Sequence, residues 1–246
     1  MLRFFFLIII ISGIFSCSNN SQDVNLQRRI QTDTSAQANA VIFAEPQVVD
    51  SAHIVIYPLI LEKTSYAGGF SSGSGGDRTS YWNLIFYNAD NSTHHLLIDN
   101  KKIVIHSFSL NGGTSSSENE NWTQGVNIYK SNIFFNVVSS DFNENKYLDN
   151  DDPTYLFMSD KQGNNFRQIS PDNYNVTSWE VVTGTSTIIL QAQKDDNGDK
   201  KFDQNDRVVP LVVDVSIDKV AKETFSPTYV DSLKSVLSNT WKVDKK

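Results

Sequence analysis

The chain has 246 residues, a formal net charge of −7 and a single cysteine. That length leaves room for one domain with a sizeable core, the negative charge excludes a nucleic-acid partner, which needs a basic face, and one cysteine excludes an intrachain disulfide. Frequent Asn, Ser and Asp with 11% aromatics predict a turn-rich, mainly β protein.

The chain opens with a positive residue, Arg3, followed by an unbroken apolar run from Phe4 to Ile11 that continues through Gly13, Ile14 and Phe15. Spanning a bilayer takes about 20 apolar residues, so this run reads as a signal peptide over residues 1–16. Its end, Ile14-Phe15-Ser16-Cys17, resembles a bacterial lipobox, with an aliphatic residue at −3 and a small one at −1 before the cysteine; Phe15 at −2 is bulkier than usual. The resemblance implies acylation of Cys17, so that the mature protein is anchored to a membrane and does not span it. Ser18, standing where Asp would retain a lipoprotein at the inner membrane, implies by analogy with Gram-negative sorting an outer-membrane location in the cell envelope. The alternative is an ordinary secretory leader ending near a chance cysteine. Residues 17–40 are rich in Ser, Asn, Gln and Thr and read as a flexible tether.

A domain of β-repeats is expected over residues 41–246. Residues 54–61 form a continuous apolar run in which Pro58 demands an edge or a bulge. A glycine and serine loop over residues 68–77 follows. Residues 81–87 and 94–98 bracket Asn88-Ala89-Asp90-Asn91, a hairpin signal. Residues 103–108 read as a strand, and residues 126–138 as a long strand region. The order strand, acidic segment, strand, strand and Ser-Pro then occurs twice, with the acidic segments fifty-four residues apart and the copies ending at Ser170-Pro171 and Ser226-Pro227. The first copy has strands at 133–138, 155–158 and 166–169, the second at 188–192, 208–215 and 222–225. Residues 155–170, with Ser159-Asp160, a Gly163-Asn164 turn and a terminal Ser170, resemble the outer hairpin of a TolB-like β-propeller blade, and residues 81–97 are a weaker copy. About three such units fit the chain, whereas closed propellers use roughly four to eight blades. The expected architecture is therefore an antiparallel β-repeat, either a partial propeller or a twisted sandwich. A C-terminal helix over residues 227–241 completes it. Ser226 is placed as its N-cap, Pro227 at its first position and Asp231 near its first turn. Val230, Leu233, Leu237 and Trp241 fall at helical spacing, and the last three are expected to pack on the repeats.

The two acidic segments, residues 141–152 and 195–206, carry the main chemical signal. Each places oxygen side chains at positions 1, 3, 5, 9 and 12. In the first these are Asp141, Asn143, Asn145, Asp149 and Asp152; in the second, Asp195, Asn197, Asp199, Asp203 and Asp206. Position 8 is apolar in both, Leu148 or Phe202. The pattern resembles the twelve-residue calcium loop of EF-hands and related extracellular repeats. The resemblance implies a calcium site in each loop, with a backbone carbonyl lent at position 7 by Tyr147 or Lys201. Calcium takes six to eight hard oxygen ligands, and a tightly wound loop turns alternate side chains inward to supply them. The chain departs from the pattern at position 6, where Lys146 or Lys200 replaces Gly, and at position 12, where Asp replaces Glu. Four carboxylates in the second loop against three in the first imply tighter binding there. The plain alternative is a pair of solvated Asn/Asp turns.

Other signals are thinner. Gly69-Phe70-Ser71-Ser72-Gly73 matches a nucleophile elbow in letters, but a glycine and serine loop surrounds it in place of a strand and a helix. His94 and His95 are adjacent and face opposite sides of a strand, and His53 and His106 add no metal-binding spacing. Trp82, Trp122 and Trp179 could line a glycan surface, although β cores use tryptophan routinely. The expectation is a lipid-anchored, calcium-stabilised envelope protein that binds or scaffolds a protein or glycan. A carbohydrate-active hydrolase using paired carboxylates is the alternative.

Overall fold

Strand-forming residues build three antiparallel sheets in a computed structural model that describes residues 30–31, 41–49, 52–65, 77–110 and 127–241. The leader, Cys17, most of the tether, the Gly69-to-Gly73 motif and Trp122 lie outside these residues. The elements in order are β1 (Ile30–Gln31), β2 (Gln47–Val49), β3 (Ile54–Ser65), β4 (Asp77–Asn88), β5 (His94–Leu96), β6 (Val104–Ser109), β7 (Asn132–Val138), β8 (Tyr147–Leu148), β9 (Tyr155–Asp160), β10 (Arg167–Gln168), β11 (Tyr174–Val181), β12 (Thr187–Lys194), β13 (Arg207–Asp214), β14 (Lys222–Glu223) and α1 (Pro227–Thr240). The protein is mainly β, with one C-terminal helix and no closed barrel among the described residues.

An eight-stranded sheet runs in the order β10-β9-β7-β6-β4-β3-β2, with β5 also pairing with β4. The apolar run of β3 pairs with β4 along its whole length, and the ladder shifts register around Ile60, just after Pro58. The predicted hairpin forms between β4 and β5, closed by Asn88 N–H donating to Thr93 O at 2.8 Å. The second sheet runs β11-β12-β13-β14. A two-stranded pair, β1 with β8, joins part of the expected tether to the first acidic segment.

The pleat explains the core. In β7 and β9 both faces are buried, because alternate side chains enter different clusters. Ile133, Phe135, Val137, Tyr155 and Phe157 join Ile56, Leu84, Phe86 and Ile105 on one face. Phe134, Leu156 and Met158 point the other way and pack with Val176, Ile188, Leu190, Leu211 and Val213 of the second sheet. Two sheets therefore face one another through a shared core. The β9–β10 turn reaches Phe86, because a Cβ on Gly163 would lie 2.6 Å from that ring. In the sheet order three strand spacings, roughly 14 Å if flat, separate β9 from β4. The large sheet must curl to bring them together.

Three expectations are corrected. The strand region expected from residue 126 begins with a 3-10 turn, Ile128–Lys130, because the Asn127 side chain accepts from Tyr129 N–H at 3.0 Å and caps it. Strand β11 was not expected. The helix forms with Ser226 as N-cap and Pro227 in the first turn, but no residue of it is buried. Leu233, Leu237 and Trp241 are exposed, with Trp241 at 71%. Asp231 pairs with Lys234 at 2.8 Å and lies beyond the first turn.

Candidate metal centre

The first acidic loop connects β7 to β9, and the second connects β12 to β13. In each case the two strands are antiparallel neighbours, so each loop is the elongated turn of a hairpin. Asn and Asp dictate its local form, since their short side chains accept from backbone N–H groups two or more residues ahead.

The two loops carry corresponding hydrogen bonds. Position 1 binds the turn: Asp141 accepts from Asn145 and Lys146 N–H at 2.9 and 2.7 Å. Asp195 accepts from Gly198 and Lys200 N–H at 2.7 and 3.2 Å. Position 3 accepts from the N–H of position 5, through Asn143 at 3.0 Å and Asn197 at 2.8 Å. Position 5 accepts from position 7, through Asn145 at 2.8 Å and Asp199 at 3.0 Å. Position 9 accepts from position 11, through Asp149 at 3.0 Å and Asp203 at 2.7 Å. Position 12 reaches back to the N–H of position 9, through Asp152 at 3.1 Å and Asp206 at 2.9 Å.

Backbone conformation corresponds as well. Positions 4 and 6 are left-handed in both loops: Glu144 and Lys146 at φ 61° and 73°, Gly198 and Lys200 at φ 73° and 61°. Lysine at position 6 thus adopts the conformation for which glycine is the easy choice. A side chain held there costs about 1–2 kcal/mol, and the carboxylate at position 1, accepting from that residue's N–H, helps hold it.

The loops differ at their closing carboxylate. Asp152 is buried, 3% exposed, and its Oδ1 accepts from Phe142 N–H at 2.8 Å and, at 3.4 Å, from Asn143 N–H. Burial pushes its pKa above the usual carboxylate value, against the pull of the three N–H donors. Asp206 is also buried, 7% exposed, but its Oδ1 has no hydrogen-bond partner among the described residues. At the corresponding place in the second loop, Asp196 turns its carboxylate to Arg207, which donates through Nη2 at 3.1 Å and also through Nε. That contact holds Asp196 below the ordinary carboxylate range.

Position 8 anchors each loop differently. Leu148 is buried with Val104 and Val138. Phe202 is half-buried, and its ring lies 5.3 Å from that of Phe142 at position 2 of the other loop. Lys200 pairs with Glu144 across the same junction. Sequence reasoning found the loops but not this contact; its one signal is an aromatic residue in each loop, at different positions.

Of the remaining candidates, Asp90 holds His53 through Nδ1 at 3.0 Å, His95 packs its ring edge-on to Phe86 at 5.6 Å, and His94 is exposed. Trp179 packs on Phe134 and donates from Nε1 to Asn136 Oδ1 at 3.0 Å, a core role. Among the described residues no three His, Cys, Asp or Glu side chains converge as a ligand group. The donor set of each loop is broader than those four types, because it includes Asn side chains and the position-7 carbonyl. An orphaned buried carboxylate oxygen at position 12, left-handed backbone at position 6 and an all-oxygen donor set fit a hard cation. No protein-family model, curated protein or solved structure matches the chain.

Proposed function

We propose that the protein is a lipid-anchored, calcium-stabilised component of the bacterial cell envelope, tethered through Cys17 to the outer membrane, with a binding or scaffolding role toward an envelope protein or glycan. The observation that carries the calcium reading is Asp206 Oδ1, a buried carboxylate oxygen without a partner among the described residues, at the end of an oxygen-rich loop. Leaving such a group unsatisfied costs about 1–3 kcal/mol, and a cation removes that cost. Asp141, Asn143, Asn145, Asp149 and Asp152 with the Tyr147 carbonyl would hold one ion. Asp195, Asn197, Asp199, Asp203 and Asp206 with the Lys201 carbonyl would hold the other. Bound calcium supplies positive charge that gathers these oxygens and fixes the β-hairpins they close. The lipid anchor is supported by the leader running into the chain's one cysteine.

Binding is favoured over hydrolysis by the setting of Asp152. Among the described residues it is the carboxylate whose pKa is raised, and its oxygens are bound to the backbone N–H groups of its own loop. That is the environment of a structural acceptor.

The test is thermal unfolding of the full chain with and without calcium. Extracellular calcium modules have dissociation constants of about 10⁻⁴–10⁻³ M, so a site at the tight end gains about 1.4 kcal/mol at about 1 mM calcium. The expected result is a rise of a few degrees that a chelator reverses. No heat of binding and no thermal shift would remove calcium from the account. Cys17→Ala should release the protein from membranes or block its processing, and unchanged membrane fractionation would remove the anchor.

A further inference from the structure

We infer that the two loops act as one cooperative cation clasp, in which filling residues 195–206 orders residues 141–152 through the packed, mutually tilted rings of Phe202 and Phe142. The inference rests on the calcium reading above and concerns how the two sites influence one another.

The second loop is the one that demands a cation. It offers four carboxylates to the first loop's three, and ligand charge is a main control on affinity in such loops. The buried, unpartnered Asp206 Oδ1 belongs to it. In the first loop the equivalent oxygen is already closed by Phe142 and Asn143 N–H.

A contiguous path joins the sites. Phe202 stands between Lys201, whose carbonyl is the position-7 donor, and Asp203, the position-9 donor. A cation that fixes those two neighbours fixes Phe202. The Phe202 ring packs on Phe142 at 5.3 Å. Phe142 N–H in turn donates to Asp152 Oδ1 at 2.8 Å and sets the orientation of the first loop's closing carboxylate. The Lys200–Glu144 ion pair spans the same junction and holds the loops in register. Coupling is reciprocal, so a cation in the first loop must equally favour one in the second. The loops also close hairpins of different sheets, β7–β9 and β12–β13, so the clasp lies where the sheets meet.

The chain carries a reporter for the first loop. Position 7 is Tyr147 there and Lys201 in the second loop, so the part of tyrosine-sensitised terbium emission that disappears in Tyr147→Phe reports the first loop. The experiment titrates the full chain with terbium, and with calcium in competition, for wild type, Asp206→Asn, Phe202→Leu and Phe142→Leu. Circular dichroism confirms that each variant is folded, and the two leucine variants keep an apolar side chain at the junction. The expected result is that half-saturation of the Tyr147 signal moves at least about 5-fold higher in Asp206→Asn and in either leucine variant, the low end of ordinary coupling. An unmoved first site in Asp206→Asn would overturn the coupling while leaving calcium binding intact. A shift in Asp206→Asn that neither leucine variant reproduces would overturn the aromatic path and the inference with it. Absence of terbium and calcium binding in wild type would overturn the calcium reading itself.

Discussion

Substituting Gly163 by alanine tests the curl of the large sheet. Gly163 lies in the turn between β9 and β10 at φ +83°, and its N–H donates to Asp160 O at 3.1 Å. An added Cβ would meet three atoms of the Phe86 ring at 2.6–2.7 Å. Phe86 is buried, with His95 edge-on to it at 5.6 Å, so its ring has little freedom to yield. Left-handed backbone costs a residue with a Cβ about 1–2 kcal/mol, and overpacking a tight core adds about 1–3 kcal/mol. Gly163→Ala should therefore destabilise by about 2–5 kcal/mol. Gly198, at φ +73° in the second acidic loop, has nothing within 4 Å of an added Cβ. Gly198→Ala should cost the backbone part alone, about 1–2 kcal/mol. Urea unfolding of the two variants beside wild type, with a chelator present throughout, measures the difference. Equal losses would mean that the turn does not press on Phe86, and the curled arrangement of β9 against β4 would have to be abandoned.

Removing α1 by truncation after Ser226 should leave the melting temperature unchanged, because the helix buries no residue; a fall of several degrees in a thermal scan would contradict its exposed placement. Asn83→Ala should cost about 1–3 kcal/mol in denaturant unfolding, since the buried Asn83 side chain donates to Ile98 O and accepts from Leu84 N–H at 2.9 Å. The Lys194 ammonium, donating at 2.9 Å, is the main cause that holds the Glu223 carboxyl below its ordinary value of 4.5. Glu223 therefore contributes stability above that value and loses it as pH falls through its lower folded pKa. Glu223→Gln should flatten this acid-side loss while costing less than about 1 kcal/mol near neutrality, and an unaltered pH–stability curve would dissociate Glu223 from it.

Strands whose side chains are apolar on at least one face are legible in the sequence: β3, β12 and β13 lie within a few residues of their expected bounds. Strand β11 is not, for two reasons. Half of its residues are polar, and a register shift between Val176 and Ser178 breaks the alternation that marks a half-buried strand. The helix is legible as an element but not in its packing. Leucine and tryptophan at helical spacing establish an apolar stripe, while what covers that stripe depends on the tertiary path of the chain. The acidic loops are legible position by position, because Asx turns are local. The Phe142–Phe202 contact is not, because it depends on two sheets meeting. The unsatisfied Asp206 oxygen is equally hidden, because spacing does not express which backbone N–H groups the folded loop turns toward a carboxylate.

On the lipid-anchor proposal, the short pairing of β1 with β8 would limit how far the protein can stand from a membrane. Ile30 pairs with Leu148, and Gln31 with Tyr147, inside the first acidic loop. Thirteen residue steps separate Cys17 from Ile30, and an extended chain covers at most about 3.6 Å per residue, or roughly 47 Å in all. With Cys17 acylated as proposed, the first loop is leashed within that radius of the lipid headgroups, while the rest of the β domain can swing outward.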